Sequence, residues 1–222
     1  MHNRAVSSHR VLKRPDAHRI GLIADTHIPG RQHQFSPQIA TIFSDTDLIL
    51  HAGDIAVPRV IRDLEQIAET FAVRGNNRGD RIHFDPPLPL FLIIEPAYQF
   101  RIGLTHGMIT QWQRLGDNLI GRSGFARAGS LRLVRRVAPC FRDADCIVFG
   151  HGHWPFLHQR DGTLFINPGR GFGRAESSCA VMELTESQIT VQYYLLGNPG
   201  RIRALAAKPH HFTLARKNHH PS

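Results

Sequence analysis

The sequence predicts an α/β protein in which two mixed β-sheets pack together and are sandwiched by helices. Three observations carry this. Six short apolar runs rich in Val, Ile, Leu and Phe have the length and composition of strands buried on both faces. The early runs alternate with helical patterns, the order that produces parallel pairing. The later runs come in pairs joined by turn residues, which is the signal of antiparallel hairpins.

Taken in chain order, IGLIADTH (20–27) is the first strand and SPQIATIFS (36–44) a helix opened by Ser-Pro. LILHAGD (48–54) is the next strand. PRVIRDLEQIAE (58–69) then sets Val60, Ile61, Leu64 and Ile67 on one helical stripe. TFAVRGNN (70–77) follows as a strand. PLFLIIEPAYQFRIGLTH reads as two strands joined at Glu95-Pro96-Ala97, and CIVFGHGH (146–153) as one more. FLHQRDGTLFI carries an Asp161-Gly162 hairpin signal, and CAVMELTESQITVQYYLL reads as a further antiparallel pair.

The 222 residues fit one domain with a full core, read here as 19–196. The net charge of +9 is concentrated at the ends: +3 in residues 1–18, +5 in 197–222, leaving +1 between them. Both ends are expected to be flexible basic tails, and the tail histidines at 210, 211, 219 and 220 are given no metal role. No nucleic-acid recognition motif accompanies the charge, so sequence-specific nucleic-acid binding is not expected. No apolar run reaches the roughly 18 residues of a membrane span, and no secretory signal opens the chain. Cys140, Cys146 and Cys179 have no metal or disulfide spacing. A cytoplasmic location is the expectation, with a homo-oligomer left open.

The apolar runs end alike. They deliver Asp25 and His27, Asp54, Asn76 and Asn77, His106, His151 and His153, and Asn167. In open α/β sheets, ligands gather beyond the carboxyl ends of strands, so these side chains should share one rim. Taken singly, Gly53-Asp54 is a turn or cap and Asn167-Pro168-Gly169 a turn. The conjunction is what argues for a metal site. Gly150 and Gly152 allow the tight turn that presents two histidines together.

The order Asp25-Thr26-His27, Gly53-Asp54, Gly75-Asn76, His106-Gly107, Gly150-His151-Gly152-His153 resembles the calcineurin-like metallophosphoesterase superfamily. The phrases HAGDI, VRGN, THG, FGH and NPG are most similar to its small single-domain bacterial and archaeal phosphodiesterases. The resemblance implies the four-layer fold of that superfamily and two divalent metal ions. Asp25, His27 and His153 would hold one ion, Asn76, His106 and His151 the other, and Asp54 would bridge them. Imidazole, carboxylate and amide ligands suit Mn, the preferred guess, but also Fe, Zn, Ni, Co or Mg. The implied reaction is attack of a hydroxide bridging the two metals on the phosphorus of a phosphate ester, with Asp54, Asn76 and His106 at the catalytic centre. The substrate would be a small phosphate ester or a nucleotide. Phosphomonoesterase or nuclease activity at the same centre is the nearest alternative. A protein-interaction scaffold like the retromer subunit of this fold is another.

The chain departs from the pattern in two places. Many members have histidine after Gly-Asn to protonate the leaving group, whereas here stand Asn77 and Arg78, and Asn77 is no acid near neutral pH. Aryl phosphates should therefore be cleaved far faster than alkyl ones. The second departure is the 108–143 segment, where Arg122, Arg127, Arg132, Arg135 and Arg136 flank Leu131, Leu133, Val134 and Val137. It reads either as an amphipathic helix with a solvated basic face or as a cap over the rim. Asn77, Arg78, Trp154 and Arg170 are candidate substrate contacts, with Trp154 stacking on the substrate or packing in the core.

Overall fold

Alternating side chains between two buried environments build the whole architecture. The computed structural model describes residues 10–107, 126–173, 177–197, 203–204 and 209–213. One sheet runs in the order β1 (Arg10–Lys13), β5 (Phe91–Glu95), β6 (Ile102–Thr105), β7 (Cys146–Phe149), β9 (Thr163–Pro168), β8 (Pro155–Arg160). The other runs β12 (Arg203–Ala204), β11 (Gln188–Leu195), β10 (Ser178–Leu184), β2 (Arg19–Ile23), β3 (Leu48–His51), β4 (Glu69–Ala72), with β13 (His210–Thr213) also on β11. Strands β2, β3 and β4 are mutually parallel, as are β6, β7 and β9. Both sheets are mixed, as the sequence predicts.

Period-two alternation then sorts the core into layers. Ile20, Leu22, Leu48 and Leu50 of one sheet face Ile102, Leu104, Cys146 and Val148 of the other in a single buried cluster. The intervening Ile23 and Ile49 face outward onto helices α1 (Gln38–Ile42) and α2 (Arg59–Glu65) through Ile39, Phe43, Val60 and Leu64. Ile147 and Phe149 face the opposite way, onto Leu133, Val134 and Val137 of the helix Ala126–Val137. A one-residue slip would exchange these environments, so burial on both faces sets the register. Truncating Leu50 to alanine should cost about 2–5 kcal/mol.

Two glycines on the outer faces make the helical layers fit. A Cβ on Gly21 would lie 3.1 Å from the Phe43 ring, and one on Gly103 would lie 2.6 Å from the Phe141 ring. Each glycine thus lets an aromatic ring settle on its sheet.

The tails depart from expectation. Residues 10–13 pair in parallel with β5, and β12 and β13 pair with β11. Unpaired edges of β5 and β11 can recruit short polar strands whose own hydrophobicity would not announce them. Of the 108–143 segment, residues 108–125 lie outside the described residues, Arg122 among them. The helix Ala126–Val137, counted as α4 because Arg78–Ile82 forms α3, packs its apolar stripe on the sheet face. Arg127, Arg132 and Arg135 are exposed. The described part is an amphipathic helix, whose Arg136 Nη1 donates to Gly107 O at 3.3 Å, next to His106.

Candidate metal centre

The loops after β2, β3, β6 and β7, together with the turn between β4 and α3, meet at one place. Their backbones are unusual for the residues they carry. Asp25, His27, Asp54, His151 and His153 all have positive φ, between 47° and 66°. Such a conformation costs side-chain-bearing residues of order 1–3 kcal/mol each and persists only where surroundings enforce it. Here the loops interlock. Asp25 N–H donates to Gly53 O at 2.9 Å and His27 N–H to Asp54 O at 3.0 Å. His151 N–H donates to Asp25 Oδ2 at 3.0 Å, and Asn77 N–H to Asp54 Oδ1 at 2.7 Å. The approach is close enough to demand glycine at position 75, where a Cβ would stand 2.1 Å from Asp54 Oδ1.

Two groups of potential ligand atoms result. Those of Asp25, His27 and His153 lie within 4.8 Å of one another, and so do those of Asp25, Asp54 and His106. Asp25 belongs to both groups, and Asp54 reaches across them, with Oδ2 3.4 Å from His27 Nε2 and Oδ1 3.6 Å from His106 Nε2. Asn76 Oδ1 lies 2.8 Å from His106 Nε2 and 3.1 Å from His151 Nδ1. All seven side chains singled out in the sequence therefore gather on one rim.

The protonation logic favours a cation. His106 Nδ1 lies 2.8 Å from Ala52 O, so that nitrogen carries the proton. In neutral His106 the Nε2 lone pair then faces the Asn76 carbonyl oxygen, two acceptors at contact distance. Either a second proton or a cation must lie there. Asp25 Oδ1 is also buried, with His153 Nε2 3.4 Å away. A buried carboxylate oxygen so loosely met is costly unless something electropositive joins it. Nitrogen and oxygen donors with no thiolate fit borderline divalent ions.

The electrostatics agree. Burial pushes the Asp25 carboxyl towards its neutral form, but the charges of His153, His106 and His27 more than offset this and hold it well below the usual carboxylate range. Burial likewise opposes charge on His106 and His153. For His106 the Asp54 and Asp25 carboxylates outweigh burial, for His153 chiefly Asp25, and both imidazoles are raised. On His27, burial wins and the imidazole is lowered.

The remaining candidates divide. Asn77 caps α3, its Oδ1 accepting from Gly79 N–H at 2.9 Å, and its Nδ2 lies 3.4 Å from His27 Nδ1. Its amide is thus engaged in positioning. Arg78 is exposed on the first turn of α3. Trp154, directly after His153, is 41% exposed, which overturns the core-packing alternative. Arg170 stacks over Phe172, 5.3 Å from the ring centroid. Asn167 is not a ligand candidate. It is fully buried, with Nδ2 donating to Gly150 O at 2.8 Å and Oδ1 accepting from Gly169 N–H at 2.9 Å, so it braces the turn that carries His151 and His153.

Sequence reasoning missed three supporting residues. Asp80 is fully buried and accepts from Ile55 N–H at 2.9 Å, Ala56 N–H at 2.6 Å and Gly75 N–H at 2.8 Å. It ties the Asp54 loop to the Asn76 turn. Burial raises its pKa, although the bonds from Ala56 and Gly75 oppose this. His51, also fully buried, lies 3.1 Å from Thr26 Oγ1 through Nε2 and braces the Asp25–His27 turn. Phe172 packs edge-on against His27 and His153, with ring centroids 5.2 and 5.5 Å away. Only the HAGD phrase hinted at His51; nothing in sequence marked the other two.

Stacked mixed sheets with a polar, strained ligand rim at the ends of parallel strands define the class of a metallophosphoesterase-like fold. The sequence profile of the calcineurin-like phosphoesterase superfamily domain matches residues 19–187, and the chain belongs to that superfamily. It is 33% identical over 150 residues to a protein of Methanothermobacter thermautotrophicus named a probable metallophosphoesterase, covering 68% of this chain and 75% of that one. A second, of Methanocaldococcus jannaschii and similarly named, is 31% identical over 150 residues, covering 68% and 66%. Among solved structures, Vacuolar Protein Sorting 29 of Cryptosporidium parvum shares the fold with a TM-score of 0.65 and 21% identity, over 89% of this chain and 99% of that one. A predicted phosphoesterase of Streptococcus pneumoniae does so with a TM-score of 0.57 and 17% identity, over 88% and 97%.

Proposed function

We propose that the chain is a metal-dependent phosphodiesterase working at a dinuclear centre. The observation that carries the reading is the convergence of Asp25, Asp54, Asn76 and four imidazoles on one rim, with His106 Nε2 turned on Asn76 Oδ1 and Asp25 Oδ1 buried without a hydrogen-bond partner. Asp25, His27 and His153 would hold one divalent ion and Asn76, His106 and His151 the other, with Asp54 between them; manganese is the preferred metal. Two such ions supply Lewis-acid polarisation of phosphoryl oxygens and make water a nucleophile near neutral pH.

The chain's own groups preorganise that chemistry. Ala52 O holds the His106 tautomer that turns Nε2 inward. His151 N–H and Asn77 N–H each occupy one carboxylate oxygen, of Asp25 and Asp54 respectively, and so fix which lone pairs point into the site. No described acid stands where Asn77 does, so departure of the leaving group relies on its own stability. Purified protein should hydrolyse bis(4-nitrophenyl) phosphate with added Mn²⁺ and lose the activity in EDTA. A faster rate on 4-nitrophenyl phosphate would favour the monoesterase alternative. Rates should rise steeply as leaving-group pKa falls; a flat dependence would require a proton donor.

The scaffold alternative draws on the likeness to Vacuolar Protein Sorting 29, which at such identity speaks for fold alone. An Entamoeba histolytica Vps29 was crystallised with zinc, so metal occupancy by itself does not separate the readings. The full set of ligand-competent residues favours catalysis. Turnover by metal-loaded protein decides between them.

A further inference from the structure

We infer that Phe172 is a positioning residue for one of the two ions, the one assigned to Asp25, His27 and His153, and that its influence does not extend to the other; the inference rests on the dinuclear reading above. Phe172 is buried beside both imidazoles of that set. Its ring centroid lies 5.2 Å from that of His27 with the planes at 85°, and 5.5 Å from that of His153 with the planes at 88°. His27 and His153 meet each other at 5.6 Å and 76°. Three rings thus stand nearly perpendicular in one cluster, the edge-to-face arrangement that aromatic rings favour. Turning either imidazole about its Cβ–Cγ bond gives up contact with the other two rings.

The two ligand sets are oriented by different means. A metal-binding histidine ordinarily gives its second ring N–H to a carbonyl, a carboxylate or water, which fixes the plane of the imidazole. His106 follows that rule through Ala52 O at 2.8 Å. For His27 the neighbour of Nδ1 is Asn77 Nδ2 at 3.4 Å, too long a contact to hold a ring plane firmly. For His153 it is Nε2 that meets a polar partner, Asp25 Oδ1 at 3.4 Å, and that carboxylate belongs to the same ligand set. Ring packing therefore does for His27 and His153 what a carbonyl does for His106. An apolar ring also claims no nitrogen lone pair, so it orients the imidazoles without competing with a cation. His106 and His151 pack on each other with centroids 5.1 Å apart, and among the described residues Phe172 makes its ring contacts with the other pair alone.

Phe172 is itself held in place. Gly171 N–H donates to Ala24 O at 2.7 Å, and a Cβ on Gly171 would meet Thr26 Cγ2 at 2.9 Å. Gln32 donates through Nε2 to Gly171 O at 2.9 Å, while Gly173 N–H donates to Gln32 Oε1 at 3.4 Å. The loop that carries the ring is thereby fastened to the strand end that carries Asp25 and to the loop that follows His27. The guanidinium carbons of Arg170 and Arg31 lie over the ring, 5.3 and 5.7 Å from its centroid, and add to its burial.

The test separates the two ions. His151→Ala leaves the Asp25, His27 and His153 set complete, and His153→Ala leaves the Asn76, His106 and His151 set complete. Mn²⁺ is titrated calorimetrically into each, with and without Phe172→Leu. In the His151→Ala background, Phe172→Leu should weaken Mn²⁺ binding about tenfold; in the His153→Ala background the change should stay within about twofold. A ring that only filled space would weaken both alike. Gln32→Ala frees the loop but keeps the ring, so it should give a smaller loss, about threefold, in the first background only, and it serves where Phe172→Leu does not fold. Unchanged affinity in the first background, or equal losses in both, would overturn the positioning role while leaving the dinuclear centre intact. Should the selective loss appear although loaded wild-type protein cleaves no phosphate ester, the hydrolase reading fails and the positioning role stands.

Discussion

The metal rim and the groove between the sheet edges differ in what their polar atoms are doing. The groove, of about 350 Å³, lies between β1 and β4 and is lined by Leu12, Ile61, Phe71, Phe84 and Leu88 with Pro86 and Pro87. Arg10 and Arg62 also line it, and beside it Arg14 pairs with Glu69 at 2.5 Å and lies over the Phe71 ring. The rim has the opposite character. Five of its seven ligand candidates adopt positive φ, and Asp25 Oδ1 is buried with no hydrogen-bond partner. A mainly apolar groove is stable as it stands, whereas the rim gathers buried carboxylates and imidazoles that a cation would hold together.

The sharpest way to break the contrast is Asp54→Asn, which keeps the shape but removes the charge between the two ligand groups. Hydrolysis of bis(4-nitrophenyl) phosphate should fall ~100-fold or more, with metal content reduced in parallel. Retained turnover would show that the rim is not the working site. His106→Ala should behave similarly.

Next comes Asp80→Asn, which leaves every proposed ligand in place. Three backbone donors lose their anionic acceptor, so kcat should drop about tenfold, and Mn²⁺ should bind more weakly in a direct titration. An unchanged metal affinity would mean that the Asp54 and Asn76 loops hold their positions without it.

His51 gives a pH-dependent effect of moderate size. Burial pushes its pKa down to about 3 from an ordinary value near 6.5. The unfolded chain thus binds a proton over that window while the folded one does not, so the stability it contributes is present above about pH 6.5 and is lost as pH falls towards 3. In urea titrations of metal-free protein, the decline from pH 7 to 5 should be shallower in His51→Gln than in the wild type. Parallel profiles would remove His51 as the cause.

The smallest effect belongs to the groove. Leu88→Ala should cost about 1 kcal/mol in denaturation and leave kcat and KM unchanged. A loss of activity there would tie the groove to the chemistry and dissolve the contrast.

Much of this was legible before any coordinates. Ile20, Leu22, Leu48, Leu50, Cys146 and Val148 announce two-faced burial through composition alone, and each strand end names its chemistry. What escaped was of two kinds. Strands β1, β12 and β13 are polar segments captured by unpaired edges, so their own residues carry no strand signal. Asp80, Phe172 and Arg31 act on residues from distant parts of the chain, and single-chain spacing does not express that. Asn167 shows the converse: its pattern matches a ligand, yet it spends its amide on Gly150 O and Gly169 N–H.

The sequence by itself determined the layered α/β architecture and, through the family resemblance of its motifs, named seven metal-ligand candidates, because burial periodicity and motif spacing are local properties. Only the tertiary structure decided which atoms oppose one another, which carboxylate oxygens are already occupied, and where the two arginines share a ring. Those depend on loops from both sheets closing to hydrogen-bond distance, and distance between remote residues is set by packing rather than by order along the chain.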